Sequence, residues 1–148
     1  MLQSIENLRE IAHLCRANRP LPAQLSTWLA SSLLDFLEHR SGSVTEALGI
    51  RNARGGVPWW LEAGMRARDA ALRQLAAEFS LGKSVSARAA DVRQLALRYA
   101  ASHWRHDLLT PDMPPSYRGT PHEQLWKAFK SGAAMPLCER QLRKILGP

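Results

Sequence analysis

The sequence predicts an all-α fold, a compact bundle of about six to seven helices. Three observations predict it. Apolar residues recur at three- and four-residue intervals over most of the chain. Gly- and Pro-containing signals separate those segments. No segment alternates apolar and polar residues with the two-residue period of a strand. The chain has 148 residues, enough to bury a core without a disulfide or metal staple. One domain over residues 1–148 is expected, with two lobes, 1–50 and 51–148.

The first helix is expected at residues 4–17, where Ile5, Leu8, Ala12 and Cys15 share a face. Arg19-Pro20-Leu21-Pro22 ends it, since proline lacks the N–H that would continue the ladder. The second covers residues 22–39. Its broad stripe is Leu25, Trp28, Leu29, Leu33, Phe36 and Leu37, and Gly42 is the terminator. Ser43-Val44-Thr45-Glu46 reads as a capping box, in which the Ser hydroxyl accepts an early backbone N–H and Glu reaches back to the cap. It opens a short helix over 44–48, closed by Gly49. A basic, glycine-rich loop follows, from Arg51 through Asn52, Ala53, Arg54, Gly55 and Gly56 to Pro58.

The fourth helix is expected at 58–79, buried through Leu61, Met65, Leu72, Leu75, Ala76 and Phe79. Glu62 with Arg66 and Asp69 with Arg73 are acid-before-base pairs at i,i+4, the mark of a solvated face. Leu81-Gly82 stops it. The fifth spans 86–109, with Val92, Leu95, Ala96, Tyr99 and His103 on one side. Residues 111–119 form an irregular, ordered corner. Thr120-Pro121-His122-Glu123 is a second capping box with Pro at the first helical position. The sixth helix runs from there to Gly132. The last spans 137–146 and is buried through Leu142, Ile145 and Leu146.

The net charge is +7, and it is uneven. Residues 1–50 carry four basic and five acidic residues; residues 51–148 carry 16 basic and 8 acidic. Such asymmetry suggests a polyanionic partner. An arginine-rich composition gives the same look, since 16 of the 20 basic residues are Arg. Cys15 and Cys138 stand far apart, belong to no Cys-x-x-Cys pair and fit a reducing compartment. The segment MLQSIENLRE lacks the apolar run of a signal peptide, and no run is long enough to span a bilayer. The expectation is a soluble, cytoplasmic protein with no membrane partner.

Two segments have helix-turn-helix character. Ala47-Leu48-Gly49-Ile50 resembles the turn, but Gly55, Gly56 and Pro58 occupy the place of a recognition helix. The C-terminal pair is stronger. Its last helix, Glu139-Arg140-Gln141-Leu142-Arg143-Lys144-Ile145-Leu146, is amphipathic, and Arg and Gln are groove-reading types. Lys127 and Lys130 add charge on the preceding helix, although Gly132-Ala133-Ala134-Met135-Pro136 makes a long turn. The candidate nucleic-acid-binding residues are therefore Arg51, Arg54, Lys127, Lys130, Arg140, Gln141, Arg143 and Lys144. Trp59 and Trp60 are candidates for base stacking or an interface.

His103, His106 and Asp107 have partial zinc-ligand spacing with no local completion, so no metal site is expected. No nucleophile elbow, phosphate-cradling loop or His-Glu-x-x-His motif occurs. No catalytic residue and no cofactor is indicated.

Four segments together resemble a proteobacterial all-helical family of uncharacterised, mobile-element-associated proteins. They are Ala47–Arg51, Arg68–Ala76, Tyr99 through Trp104-Arg105, and Glu139–Leu146. The likeness covers about residues 22–146. That family pattern has Pro-Ser before the last Glu-Arg, where this chain has Leu137-Cys138. The resemblance implies a regulatory or accessory role and lends no site residues. The expected function is nucleic-acid binding, most naturally duplex DNA binding. The alternative is an interaction module that docks an acidic protein. The sequence leaves the oligomeric state open, a homodimer included.

Overall fold

The computed structural model describes residues 1–52 and 54–147, with Leu2 described by its backbone alone. Ala53 of the glycine-rich loop lies outside the described residues. Eight α-helices and one 3-10 turn make up the secondary structure of the described residues, with no strand. The chain groups into two units, Met1–Trp59 and Trp60–Pro148.

The first unit holds α1 (Leu2–Arg16), α2 (Ala23–Leu37) and α3 (Val44–Ala47). Ile11, Leu14 and Leu25 form one buried cluster; Ile5, Leu48 and Ile50 form another. Trp28 and Leu29 pack against both, and Trp59 packs against the second. Helix α2 stops at Leu37, five residues before the expected glycine terminator. His39 takes the left-handed conformation at φ 58°, and Arg40 and Ser41 N–H groups close on the Asp35 carbonyl. A histidine thus serves where glycine is usual, at the cost a Cβ imposes there. At α3 the Glu46 N–H donates to Ser43 Oγ at 3.2 Å, as a capping box requires. The Glu46 carboxylate reaches past Ser43 to the Gly42 N–H at 3.1 Å. Gly49 then ends the helix at φ 68°.

The second unit is built around α5 (Val85–Ser102). Helices α6 (Trp104–Asp107), α7 (Pro121–Lys130) and α8 (Glu139–Leu146) all pack on it. The core joins Leu72, Leu75 and Ala76 of α4 (Trp59–Phe79) to Val92, Ala96 and Tyr99 of α5, Leu125 and Ala128 of α7, and Leu142 and Leu146 of α8. Ser84 caps α5 by accepting the Ala87 N–H at 3.2 Å.

One long fifth helix was expected; two helices are found. The ladder breaks at His103, between α5 and α6. In an unbroken helix Tyr99 and Asp107 would stand about 12 Å apart along the axis. Here the Tyr99 hydroxyl donates to Asp107 Oδ2 at 2.6 Å. Ser102 Oγ donates to the Arg98 carbonyl at 2.7 Å, a back-bond of the kind that bends helices. The corner after α6 contains the 3-10 turn Pro115–Tyr117, which aims the Tyr117 hydroxyl at the same Asp107 oxygen at 2.9 Å.

Two further expectations need correction. Asp69 pairs with Arg68 at 2.7 Å rather than with Arg73. The second capping box does not form: Glu123 accepts the N–H of Gly119, one residue before the cap, at 2.9 Å, and Thr120 Oγ1 donates to the Tyr117 carbonyl at 2.7 Å. The Glu62–Arg66 pair forms as expected.

Candidate nucleic-acid interface

The most coherent set of candidate residues lies on α8. Leu142 and Leu146 are buried on α5, and Ile145 packs beside them. With about 100° per residue, Arg140, Arg143 and Lys144 fall within an arc of about 100° on the opposite side. All three are exposed, as is Gln141 on the flank. Their side chains have no hydrogen-bond or ion-pair partner among the described residues, and Glu139, the only carboxylate of α8, pairs with none of them.

An eight-residue helix does not hold itself together in water. Arginines from neighbouring helices fix this one. Arg93 Nε of α5 donates to the Leu137 carbonyl at 2.9 Å, just before α8. Arg73 Nε of α4 donates to the Ile145 carbonyl at 2.8 Å, in its last turn. Cation density on carbonyls near a helix C-terminus also suits the helix dipole. Arg68 donates to the Ala134 carbonyl at 2.6 Å in the strap that precedes α8. Three arginines are thus used as clamps on α8 and the strap before it, while the cations of α8 itself have no such partner among the described residues.

The α7–α8 pair is not a packed helix-turn-helix. Both helices lie on α5, and eight residues, 131–138, connect them. The connection is a strap with its own anchors: Ala133 and Pro136 are buried, and the strap passes close over Gly64 of α4. A Cβ on Gly64 would meet the Ser131 carbonyl oxygen at 2.6 Å. Beside the strap lies an open groove of about 480 Å³ lined by Met65, Met135, Pro136 and Ile145 together with Arg68, Gln141 and Lys144.

Cys138 stands at the N-cap of α8, where a Ser would be usual. Its thiol is held below the ordinary thiol range by the Arg140 backbone N–H, then by that of Gln141, with the charges of Arg140 and Arg143 adding to the effect. Both cysteines are free and exposed.

The other candidates are placed differently. Arg51 pairs with Glu46 at 3.2 Å, and Arg54 is exposed in the turn that follows. Both belong to the first unit. Lys127 pairs with Glu123 at 2.9 Å. Lys130 is not a surface cation: its Nζ donates to the carbonyls of Thr110 at 2.5 Å and Leu108 at 3.2 Å, with the rings of Trp104 and Trp126 within 6 Å. It ties α7 to the end of α6. Trp59 is half-buried and Trp60 is exposed.

A polar hub escaped the sequence reading. Asp107 is 1% exposed and receives both tyrosine hydroxyls on one oxygen. Burial opposes its charge, but the hydroxyls of Tyr99 and Tyr117 and the nearby His106 ring outweigh burial, so its carboxyl is held below the ordinary range. Burial and the same carboxylate push the Tyr117 phenol up to about 12, and Tyr99 higher still. The rings of His103 and His122 meet edge to face with centres 4.5 Å apart. Burial and the neighbouring His103 pull His122 below the usual histidine value, with Asp107 opposing. Among the described residues no three His, Cys, Asp or Glu side chains gather as metal ligands. Nor is any described helix long and apolar enough to cross a membrane.

No protein-family model, curated protein or solved structure matches the chain.

Proposed function

We propose that the protein binds nucleic acid, duplex DNA first, through the outward face of α8. One observation carries the reading. Arg140, Arg143 and Lys144 share one exposed arc of a helix that other arginines anchor at both ends, and no carboxylate among the described residues pairs with them. Phosphate contacts of this kind supply most of the sequence-independent affinity for DNA. Gln141, on the flank of that arc, is the side chain suited to read a base edge. Arg54 is a second candidate contact, from the first unit. The role is regulatory or accessory rather than catalytic.

A titration of fluorescently labelled duplex at low salt tests this. Saturable binding that weakens steeply with added salt supports it. Absence of binding at about 50 mM salt overturns it. The groove beside the strap favours a second reading, an acidic protein partner whose apolar side chain seats between Met65 and Ile145. Binding of an acidic peptide that survives Met65→Asp would count against that reading.

A further inference from the structure

Helix α2 has two apolar sides, and only one is used within its unit. Leu25, Trp28, Leu29 and Ser32 share the side that packs in the first unit's clusters or is buried. At about 100° per residue, Ala30, Leu33, Leu34 and Leu37 centre about 140° away. Their i, i+3, i+4, i+7 spacing is that of a helix–helix seam. Leu33 is 41% exposed, Leu34 48% and Leu37 66%, and Ala30 is exposed too. Scattered exposed leucines need no account; four apolar residues in seam register on one helix do.

We propose that this face pairs with the same face of a second copy of the chain, as antiparallel α2 helices about a two-fold axis between Leu33 and Leu34. The face is complementary to itself in that arrangement. Ala30 falls opposite Leu37 and Leu33 opposite Leu34, so the smallest residue of the stripe meets its most exposed leucine. Charge agrees with shape. From Ala23 to Leu34 the helix carries no charged residue; Asp35, Glu38 and Arg40 all lie at its C-terminal end. Antiparallel pairing places this charged end beside the uncharged N-terminal half of the other copy's helix, so no like charges meet. Parallel pairing would stack Asp35 on Asp35 and Glu38 on Glu38. Arg40 already binds Asp35 at 3.0 Å and Glu38 at 2.8 Å, which offsets part of the negative charge at the end of the stripe. A two-fold contact between identical patches is the commonest form of self-association. A seam one helix wide is a small interface, so the dimer forms and dissociates with concentration.

Sedimentation of the full chain over roughly 1 to 200 µM tests this. The weight-average mass rises towards twice the monomer's, and Leu34→Glu with Leu37→Glu keeps the chain monomeric with an unchanged helical circular dichroism spectrum. A wild-type chain that stays monomeric throughout overturns the proposal, as does a double variant that dimerises equally. Cross-linking fixes the register independently of that variant. In a Cys15→Ser, Cys138→Ser background, Ala30→Cys and Leu37→Cys chains are oxidised separately and mixed. A disulfide dimer that forms only in the mixture supports the antiparallel seam. Dimers in the separate samples, or none in the mixture, overturn it.

Discussion

At the residue scale the decisive groups are those whose neighbours cannot move. Asp107 holds Tyr99 of α5 and Tyr117 of the corner on one oxygen, and so closes the break at His103. Asp107→Ala leaves two hydroxyls without their acceptor and is expected to cost about 2–4 kcal/mol, read by urea denaturation. Its pH dependence has a fixed sign. The folded carboxyl is held below its ordinary range, so the stabilisation is complete above that range and is lost as pH falls from there through the lowered folded value. Tyr117 behaves in the opposite sense: stability is complete below pH 10 and declines as pH rises towards about 12. His122 is also depressed in the folded state. Its share of stability is complete above the ordinary histidine value of about 6.5 and falls as pH drops below it. Melting curves from pH 5 to 8 check this; His122→Gln flattens that part of the profile. Gly64 is fixed by the strap above it. Gly64→Ala forces the Ser131 carbonyl away and is expected to cost about 1–3 kcal/mol.

At the element scale the helices were legible where their signals are local. Ser43 caps α3, Gly49 ends it, and Gly82 and Gly132 take the left-handed turns that their positions announced. Three features were not legible, each for a physical reason. His39 replaces glycine at the end of α2, and a histidine carries no such signal in sequence. The break between α5 and α6 depends on Tyr117, which lies in another segment. The arginine clamps on α8 bind backbone carbonyls, which every residue has, so no pattern marks them. The same blindness affected the candidate site. Arg140, Gln141, Arg143 and Lys144 were read as outward-facing from amphipathic spacing and are exposed, whereas Lys130 looked alike in sequence and is spent on Leu108 and Thr110. Because α8 is too short to stand alone, Arg73→Met and Arg93→Met should each speed amide exchange across residues 139–146. Cys138 offers a footprint of the same helix. Its thiol lies among Arg140 and Arg143, so bound DNA should slow its alkylation and leave that of Cys15 unchanged.

At the scale of the whole molecule the charge follows the two units. Met1–Trp59 carries six basic and five acidic residues; Trp60–Pro148 carries fourteen and eight. Within the second unit many of those cations have structural work. Arg66, Arg68, Lys83 and Lys127 pair with carboxylates, while Arg73, Arg93 and Lys130 hold carbonyls. On α8, by contrast, three cations without an ion-pair partner among the described residues share one arc of an anchored helix. The contrast with composition is therefore also the sharpest test. Duplex affinity is measured against salt for wild type, for Arg140→Gln with Arg143→Gln and Lys144→Gln, and for a charge-matched control with Arg98→Gln, Arg105→Gln and Arg118→Gln. The α8 variant is expected to bind at least about tenfold more weakly, with the slope of log affinity against log salt shallower by about 2 to 3. The control should stay close to wild type. Equal losses in the two variants would contradict the account, because net charge rather than the α8 face would then govern binding.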